Sequence, residues 1–504
     1  MVLTGALALG VTTACLTQLS PSITSTVTVI PTSGSLPTVA AASTHTVVPR
    51  ATPTRTAAPR ATPSQTTVTT LTPEVSLPSV FGVGMDNLSA GGGLDQMAAA
   101  NTTWTRPVGV DWSSVEPTEA HYNWSVLDGL GIELQNAASK NMQVVLIVHI
   151  APEWARKIAG SGPTCGPIAE NKLAAFGNFM HELVARYSVA PYNVKYWEMW
   201  NEEDVAYTEG AGGFGCWGDT NDTYFGGGYY AEMLKVVYPK IKAVDPNAQV
   251  LIGGLLLNCD PRGGCPEGSG LPPMFLEGIL RNDGAPYFDG ISFHAYDYDL
   301  EILGEYYSPY WLSAWNTTGP VFAAKAQFIR SVLSQYGVTG KYLMNTESAL
   351  ICGKTGLEAP CLTDEFSKTK AYYVAQSYAT AIAVGLRANI WYSALGWRAS
   401  GLLNPDLSPQ PAYSTYKFAS SKLSSVAYAG SIVTVDVGDA SGVMGYKFLH
   451  SGHRLWVIWS SDGATHRIAF SSAPVSAWDS MGNTVMATRT MNITSDPLYL
   501  DWNP

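Results

Sequence analysis

Charged residues are scarce in this chain of 504 residues, because Asp, Glu, Lys and Arg together make up 14% of it. The formal net charge is −11, so the chain lacks the dense basic surface that binding to nucleic-acid phosphates requires. It also lacks a long apolar run beyond its first residues, whereas a membrane-spanning helix needs about 20 apolar residues. These absences predict no nucleic-acid partner and no spanning helix, and they favour neutral ligands.

No CxxC pair is present, which disfavours a zinc site, and we expect no metal. Cys15 stands in the export segment described below, and six cysteines remain. An even number in an exported chain indicates disulfide bonds, with isolated buried thiols as the alternative. Sequence order favours three pairs, namely Cys165 with Cys216, Cys259 with Cys265, and Cys352 with Cys361.

Residues 1–15 form a short apolar stretch that ends in small residues, which is typical of an export signal. Thr12-Thr13-Ala14-Cys15 resembles a bacterial lipoprotein box, although Thr12 stands where that box prefers Leu. Lipid attachment at Cys15 and simple cleavage therefore both stay open. In either case we expect a bacterial extracellular protein, secreted or held at the cell surface by a membrane tether through Cys15.

Residues 16–77 are rich in Ser, Thr, Pro, Ala and Val and contain almost no aromatic side chains. The sequence Pro-Arg-Ala-Thr-Pro occurs at residues 49–53 and again at 59–63. Such a segment cannot bury a core, and Pro-rich tracts act as extended spacers. We predict a disordered linker that holds the folded part of the chain away from a surface.

Residues 78–422 alternate short apolar runs with longer helical patterns, the pattern of parallel strands joined by crossover helices. Eight such units predict an α/β fold, a (β/α)₈ TIM barrel. A doubly wound open sheet is the alternative, but the glycine-rich loop of its dinucleotide-binding members does not follow the first run. The predicted strands are residues 80–85, 104–108, 143–149, 196–201, 249–256, 290–294, 341–346 and 388–393.

Residues 423–504 show short alternating runs without helical periods, at 432–437, 443–449, 455–460 and 467–470. This pattern predicts a small C-terminal β-sandwich domain. We expect the domain to pack on the barrel as structural support.

Two glutamates follow predicted barrel strands, Glu202 after the fourth and Glu347 after the seventh. Barrel enzymes carry their reactive groups at these strand ends. Cleavage of a glycosidic bond needs such a carboxyl pair, one to protonate the leaving oxygen and one to attack the anomeric centre. A pair of solvated loop carboxylates is the alternative, but the aromatic and apolar strands before both glutamates favour a catalytic role.

Trp200-Asn201-Glu202 and Asn345-Thr346-Glu347 resemble the acid/base and nucleophile motifs of clan A glycoside hydrolases. The segments at 112–117 and 288–296 are similar to those of families 39 and 5, and the whole resembles family 39 most closely. The resemblance implies a retaining enzyme that cleaves β-glycosidic bonds of a polysaccharide or oligosaccharide without a cofactor. In it Glu202 is the general acid/base and Glu347 the nucleophile. A non-catalytic carbohydrate-binding surface protein on a barrel scaffold is the alternative, and a purely structural protein is a third.

The same resemblance implies supporting roles for residues near the two glutamates. Arg106 matches an arginine whose positive charge keeps the nucleophile ionised, with an ordinary salt bridge as the alternative. Asn201 matches a residue that binds the sugar 2-hydroxyl. Tyr296 matches a tyrosine whose hydroxyl contacts the nucleophile. His294 matches a histidine that shapes the sugar subsite, with a satisfied core histidine as the alternative.

Three further side chains end a strand or lie in a loop at the same face of the predicted barrel. His149 ends the third strand and can bind a sugar hydroxyl, or can be structural. Trp154 and Trp397 lie in loops where an indole ring can stack on a sugar face, or can pack the loop instead. We therefore expect all three as candidate substrate-binding residues.

Overall fold

A computed structural model describes residues 79–503, with gaps at 159, 161–165, 208–213, 262–264, 266–271, 301–305, 308–311, 314, 316, 439–440 and 451. The predicted export segment at 1–15, including Cys15, and the predicted linker at 16–77 lie outside the described residues.

Eight parallel strands close into a barrel, with each strand pairing with the next and the eighth pairing with the first. This confirms the predicted TIM barrel. The strands are β1 (Phe81–Val83), β2 (Trp104–Thr105), β3 (Gln143–His149), β4 (Tyr196–Asn201), β5 (Gln249–Leu255), β6 (Gly290–Leu300), β7 (Tyr342–Cys352) and β8 (Ala388–Trp391).

The composition of these strands follows from their position between a core and a helix layer. Strand β3 reads Gln-Val-Val-Leu-Ile-Val-His, and its five central residues are all buried. Strands of a parallel sheet are covered on both faces, so they are apolar throughout rather than alternating. The branched side chains also suit extended backbone.

A helix lies in each connection between strands and after the last one, so the helices form the outer layer of the barrel. Helix α8 shows how one begins, because Thr363 accepts a hydrogen bond from the backbone of Phe366 and Asp364 and Glu365 occupy the first turn. The helices of this part of the chain are α1 (Leu94–Ala99), α2 (Trp112–Val115), α3 (Asp128–Ser139), α4 (Leu173–Tyr187), α5 (Gly227–Val244), α6 (Pro272–Arg281), α7 (Val321–Gln335), α8 (Asp364–Ala383) and α9 (Pro411–Leu423).

Strands β6 and β7 are longer than the sequence predicts. They stay paired as far as Leu300 and Cys352, beyond the barrel rim, and the short strand Leu312–Ser313 pairs with β6 there. Two further short strands are Val110–Asp111, which pairs with β3, and Tyr306–Tyr307. The expectation that Glu347 follows the end of its strand is therefore wrong, because β7 continues for five residues beyond it.

The C-terminal region forms two antiparallel sheets, as predicted. Six strands pair in the order β9-β10-β11-β16-β13-β14, and β12 pairs with β15. Their bounds are β9 (Ala427–Ser431), β10 (Val443–His450), β11 (His453–Ser460), β12 (His466–Ala469), β13 (Ser476–Trp478), β14 (Thr484–Val485), β15 (Thr490–Ile493) and β16 (Leu498–Trp502).

The strand predicted at 432–437 is wrong, because Thr434–Val437 is a short helix, α10. The Asp436 carboxylate accepts a hydrogen bond from the backbone of Val433 at 2.9 Å and pairs with Lys447 at 2.8 Å. A side chain that satisfies the first turn in this way favours a helix over an extended run.

The C-terminal sheets pack against the last two barrel helices. Phe448 and Tyr499 belong to the same buried cluster as α8 and α9, and the Phe418 and Tyr499 rings lie 5.0 Å apart at 76°. One side of the sheets therefore joins the core of the barrel, while residues such as Ile458, Ile468 and Leu500 form a second buried cluster within the sheets.

Two of the predicted disulfides are confirmed, Cys259–Cys265 and Cys352–Cys361. Cys216 is also disulfide-bonded, and Cys165, its predicted partner, lies outside the described residues. Among the helices described, none combines the length and the apolar character needed to cross a membrane.

Candidate active site

Strands β4 and β7 bring Glu202 and Glu347 to the same end of the barrel. One carboxylate oxygen of each lies within 4.8 Å of the other. Glu202 is the first residue after β4 and adopts a left-handed backbone with φ of 52°, held where its N–H donates to the Gly254 carbonyl at 3.0 Å. Such backbone is costly for a residue with a side chain and clusters at functional sites.

Arg106 follows β2 and lies beneath the two glutamates, nearly buried. Its Nη1 donates to Glu347 Oε1 at 2.7 Å, its Nε to Glu198 Oε2 at 2.5 Å, and its Nη2 to Asn201 Oδ1 at 2.8 Å. Burial by itself would lower the pKa of Arg106, but Glu198 and Glu347 together raise the pKa above its ordinary value. The guanidinium is a fixed positive charge that holds three side chains in place.

Glu347 is held from two sides. The Tyr296 hydroxyl donates to Oε2, opposite the Arg106 contact at Oε1. Burial would raise the pKa of Glu347, but the charges of His294 and Arg106 and these hydrogen bonds lower the pKa below its ordinary value. Burial raises the pKa of Tyr296 well above its usual range, and Glu347 raises it further, so the phenol keeps its proton and donates. Glu347 is thus an ionised carboxylate.

His294 on β6 is fully buried between the two glutamates. Its Nδ1 lies 2.8 Å from Glu202 Oε1 and 3.6 Å from Glu347 Oε2. Burial would lower the pKa of His294, but the charges of Glu347 and Glu202 and the hydrogen bond to Glu202 raise it overall. A Cβ at Gly254 would lie 2.0 Å from the Nε2 of His294, so only glycine permits this approach.

The sequence also contains functional neighbours that the motif analysis missed. Glu198 accepts hydrogen bonds from both Arg106 and the Thr346 hydroxyl, the latter at 2.8 Å. Because alternate residues of a strand share a face, Glu198 lies on the side of β4 that carries Tyr196, which packs in the cluster inside the barrel. A carboxylate inside an apolar strand was the available signal, since it needs a buried partner.

Asp204 and Lys325 fix the strand ends behind Glu202, and the motif analysis missed both. The Asp204 carboxylate accepts from the backbone N–H groups of Leu256 and Leu257 at 2.7 and 2.8 Å. Lys325 on α7 donates to the carbonyls of Leu256 and His294 at 2.7 and 2.8 Å. Burial raises the pKa of Asp204 to about 6 and lowers the pKa of Lys325 to about 8.

A cavity of about 350 Å³ opens above the two glutamates. Five of the residues that the sequence singles out line it. The lining residues are Asn201, Glu202, Phe214, Leu256, Tyr296, Tyr298, Glu347, Tyr392, Trp397 and Arg398. Aromatic walls with a few polar groups are typical of a small-ligand site.

Trp397 is 46% exposed, and its ring lies 5.5 Å from that of Tyr296. The structure places the other two candidates outside the cavity lining. Trp154 donates from Nε1 to the Glu116 carbonyl at 3.1 Å, and His149 Nε2 lies 3.2 Å from Asp111 Oδ1. Their substrate contacts stay predictions.

Glu202, His294 and Glu347 are also the three side chains that could hold a metal ion, since each offers one ligand atom within 4.8 Å of the others. In this arrangement their atoms already bind one another, Arg106 and Tyr296. What the group can do chemically is to present one ionised carboxylate opposite a second carboxyl that is hydrogen-bonded to an imidazole.

No protein-family model and no curated protein matches this sequence. Solved structures do match the fold, and they include glycoside hydrolases of families 39 and 30. A family 39 glycoside hydrolase from the gut symbiont Bacteroides cellulosilyticus is 18% identical, with a TM-score of 0.60 over 84% of this chain and 81% of that one.

Two further structures cover nearly all of their own length. A family 30 endoxylanase from Clostridium papyrosolvens is 11% identical, with a TM-score of 0.55 over 85% of this chain and 97% of that one. A monomeric β-xylosidase from Caulobacter crescentus is 13% identical, with a TM-score of 0.53 over 85% of this chain and 97% of that one. The likeness of fold agrees with the clan A resemblance of the two glutamate motifs.

Proposed function

We propose that this chain is a retaining glycoside hydrolase that cleaves β-glycosidic bonds of a polysaccharide or oligosaccharide. The observation that carries the proposal is the separation of Glu202 and Glu347, whose nearest ligand oxygens lie within 4.8 Å. Carboxyl groups about 5–5.5 Å apart suit direct attack by one of them, whereas inverting enzymes leave about 6.5–9.5 Å for a water molecule.

In the first step Glu347 Oε attacks the anomeric carbon and Glu202 donates its proton to the glycosidic oxygen. The bond between that carbon and oxygen breaks, the leaving sugar departs with the proton, and the sugar that stays is esterified to Glu347. Asn201 is oriented by the bond from Arg106 to its Oδ1, so its Nδ2 end donates to the sugar 2-hydroxyl. That bond strengthens as charge develops at the neighbouring carbon.

In the second step Glu202 removes a proton from water, and the water oxygen attacks the same carbon. The ester to Glu347 breaks, the carboxylate returns to Arg106 and Tyr296, and the product keeps the configuration of the substrate. Glu202 ends the cycle protonated, as it began. His294, which shares a hydrogen bond with Glu202, positions that carboxyl throughout.

The fold neighbours support this class of reaction, since those compared above are a family 39 glycoside hydrolase, an endoxylanase and a β-xylosidase. Two disulfides, and a fold neighbour that is a conserved exported protein from Bacteroides fragilis, support an extracellular location. We therefore propose a polysaccharide-degrading enzyme that acts outside the cell.

The test is the stereochemistry of the first product. A panel of β-linked polysaccharides and aryl β-glycosides is incubated with the enzyme, and the anomer released first is followed by proton NMR before mutarotation. We expect the β-anomer. Release of the α-anomer would mean inversion and overturn the assignment of Glu347 as nucleophile.

The matched controls are Glu347→Gln and Glu202→Gln, which keep the shape of each side chain and remove its acid–base chemistry. Both should lose hydrolysis while keeping polysaccharide binding. Binding without hydrolysis by the unsubstituted enzyme, on every substrate, would favour the non-catalytic carbohydrate-binding protein instead.

A further inference from the structure

Among the residues that the structure describes, one positive side chain lines the cavity and has no acidic partner. Arg398 follows Trp397 in the loop after β8, and its Nη2 donates to the Gly353 carbonyl. Its Nε is buried and makes no hydrogen bond. Within the residues that the structure describes, no carboxylate forms an ion pair with Arg398.

The backbone that carries Arg398 is fixed from several sides. Its carbonyl accepts from the Cys352 N–H at 2.9 Å, at the end of β7 where the disulfide to Cys361 closes the next loop. Lys370 on α8 donates to the carbonyls of Ala399 and Gly401 at 2.8 and 2.7 Å. The guanidinium carbon lies 5.7 Å from the Tyr298 ring centre and 5.3 Å from the Trp397 ring centre, and both rings line the cavity. The loop that carries the guanidinium is already in place, which favours ligand binding.

The other cations of the site are already engaged. Each nitrogen group of Arg106 donates to a side chain, and His294 binds Glu202. A neutral sugar would need no additional positive charge here. An anionic sugar would be repelled by the ionised Glu347 unless a cation offset that charge, because like charges in a poorly solvated cavity interact strongly.

We propose that Arg398 selects substrates whose sugar carries an anionic group, and that this group is the carboxylate of a hexuronate. The planar guanidinium matches a carboxylate in shape and charge. Arg398 follows Trp397, and the Trp397 ring contacts Tyr296, which is hydrogen-bonded to Glu347. Arg398 is therefore near the nucleophile. The carboxylate that it binds belongs to the sugar in the cavity. The proposal rests on the proposed glycoside hydrolase function.

The experiment compares substrates that differ only in charge, namely 4-nitrophenyl β-D-glucuronide and β-D-galacturonide, each with its methyl ester. We expect the enzyme to prefer one free acid over its ester. Arg398→Met should lower kcat/KM for that acid by about 10- to 100-fold and change the ester less than about 3-fold, as for a lost charge pair at a binding site. Arg398→Lys should keep part of the preference. Lys354→Met removes an exposed positive charge from the neighbouring loop and should change neither.

Equal rates for acid and ester, or a preference that survives Arg398→Met, would overturn the proposal. The matching 6-sulfate glycosides form a second arm, and a larger Arg398→Met effect on these than on the uronides would overturn the carboxylate assignment in favour of a sulfate ester. If no glycoside is hydrolysed, the proposed function fails by itself. Calorimetric binding of hexuronate oligosaccharides and their methyl esters then decides the role of Arg398.

Discussion

Glu202 and Glu347 share one cavity, yet the protein holds them in different ways. Glu347 lies within strand β7, where the pairing with β6 shifts register between Asn345 and Glu347, and it is hydrogen-bonded to the Arg106 guanidinium and the Tyr296 phenol. Glu202 lies just after a strand in left-handed backbone, and its partner is the His294 imidazole. One carboxylate therefore faces a permanent charge and the other faces a group that can gain or lose a proton.

That difference matches the two roles that we propose. The charges of His294 and Arg106 both lower the pKa of Glu347, and the Arg106 charge is permanent because arginine does not release its proton in a protein. An imidazole can gain or lose a proton, and Glu347 and Glu202 raise the pKa of His294, so the partner of Glu202 is not a fixed charge. A nucleophile has to stay ionised and an acid/base has to exchange a proton, and the partner of each glutamate suits its proposed role.

The largest expected effect separates the two glutamates by chemical rescue. Glu347→Gly should lower kcat about 10⁴-fold or more on every aryl glycoside, because the attacking group is lost. Glu202→Gly should lose about 10²–10⁴-fold, and least on substrates whose leaving group needs no proton. Added azide should restore both variants, with an α-glycosyl azide from the first and a β-glycosyl azide from the second, identified by NMR. The opposite anomers would exchange the two roles.

A second test removes the permanent charge. Arg106→Met leaves the buried Glu198 and Glu347 without their cation, and we expect a loss of about 3–5 kcal/mol in the free energy of unfolding. Lys140→Met breaks the exposed pair with Asp95 and should cost less than about 1 kcal/mol. Denaturant unfolding measures both. Equal losses would mean that the Arg106 cluster is no more than a surface pair.

How far the sequence predicts this site depends on how local each signal is. The barrel follows from eight apolar runs with intervening helical patterns, because a strand buried on both faces has to be apolar along its whole length. The sequence predicts the end of β7 too early, and the cause of this error is non-local. Its extension beyond Glu347 is stabilised by pairing with β6, about 50 residues away in sequence.

The site residues show the same division. Glu202, Glu347 and Arg106 stand directly after or within strands whose pattern marks the barrel mouth. Glu198 carries only the signal of a carboxylate inside an apolar strand, and the identity of its partner Arg106 is not visible in the sequence. Lys325 carries no mark, because its role depends on contacts with the carbonyls of Leu256 and His294. Arg398 is visible as a loop arginine, but that it has no acidic partner among the described residues is a property of the folded cavity.

A third test weakens the hold on Glu347 without removing its charge partner. The pKa of Glu347 is lowered, so its ionised form is present above that pKa and is lost as the pH falls through it. In the pH profile of kcat/KM, the midpoint of the acidic limb should therefore lie below about pH 4.3, the ordinary pKa of a Glu side chain. Tyr296→Phe removes one hydrogen bond to the carboxylate and should move that limb to higher pH.

Tyr298→Phe is the matched control, since Tyr298 lines the same cavity and, among the described residues, makes no hydrogen bond to Glu347. It should leave the acidic limb in place. If the acidic limb moves equally in both variants, the two tyrosines act through the cavity as a whole and not through a hydrogen bond to Glu347. The contrast drawn above between the partners of the two glutamates would then no longer hold for Glu347.

The test with the smallest expected effect shows on which side of the cavity the sugar lies. Trp397 is half exposed and contacts the ring of Tyr296, the partner of Glu347, so a sugar stacked on Trp397 has its anomeric carbon near the nucleophile. Trp397→Ala should raise KM about fivefold with a smaller change in kcat, since stacking contributes on the order of 1 kcal/mol. Trp154→Ala should lower stability and leave KM unchanged, because Trp154 packs on Trp112 at 5.4 Å outside the cavity lining. A larger KM effect at Trp154 would move the sugar toward β3 and away from Glu347, and Trp154 would then be the stacking residue that the sequence predicts.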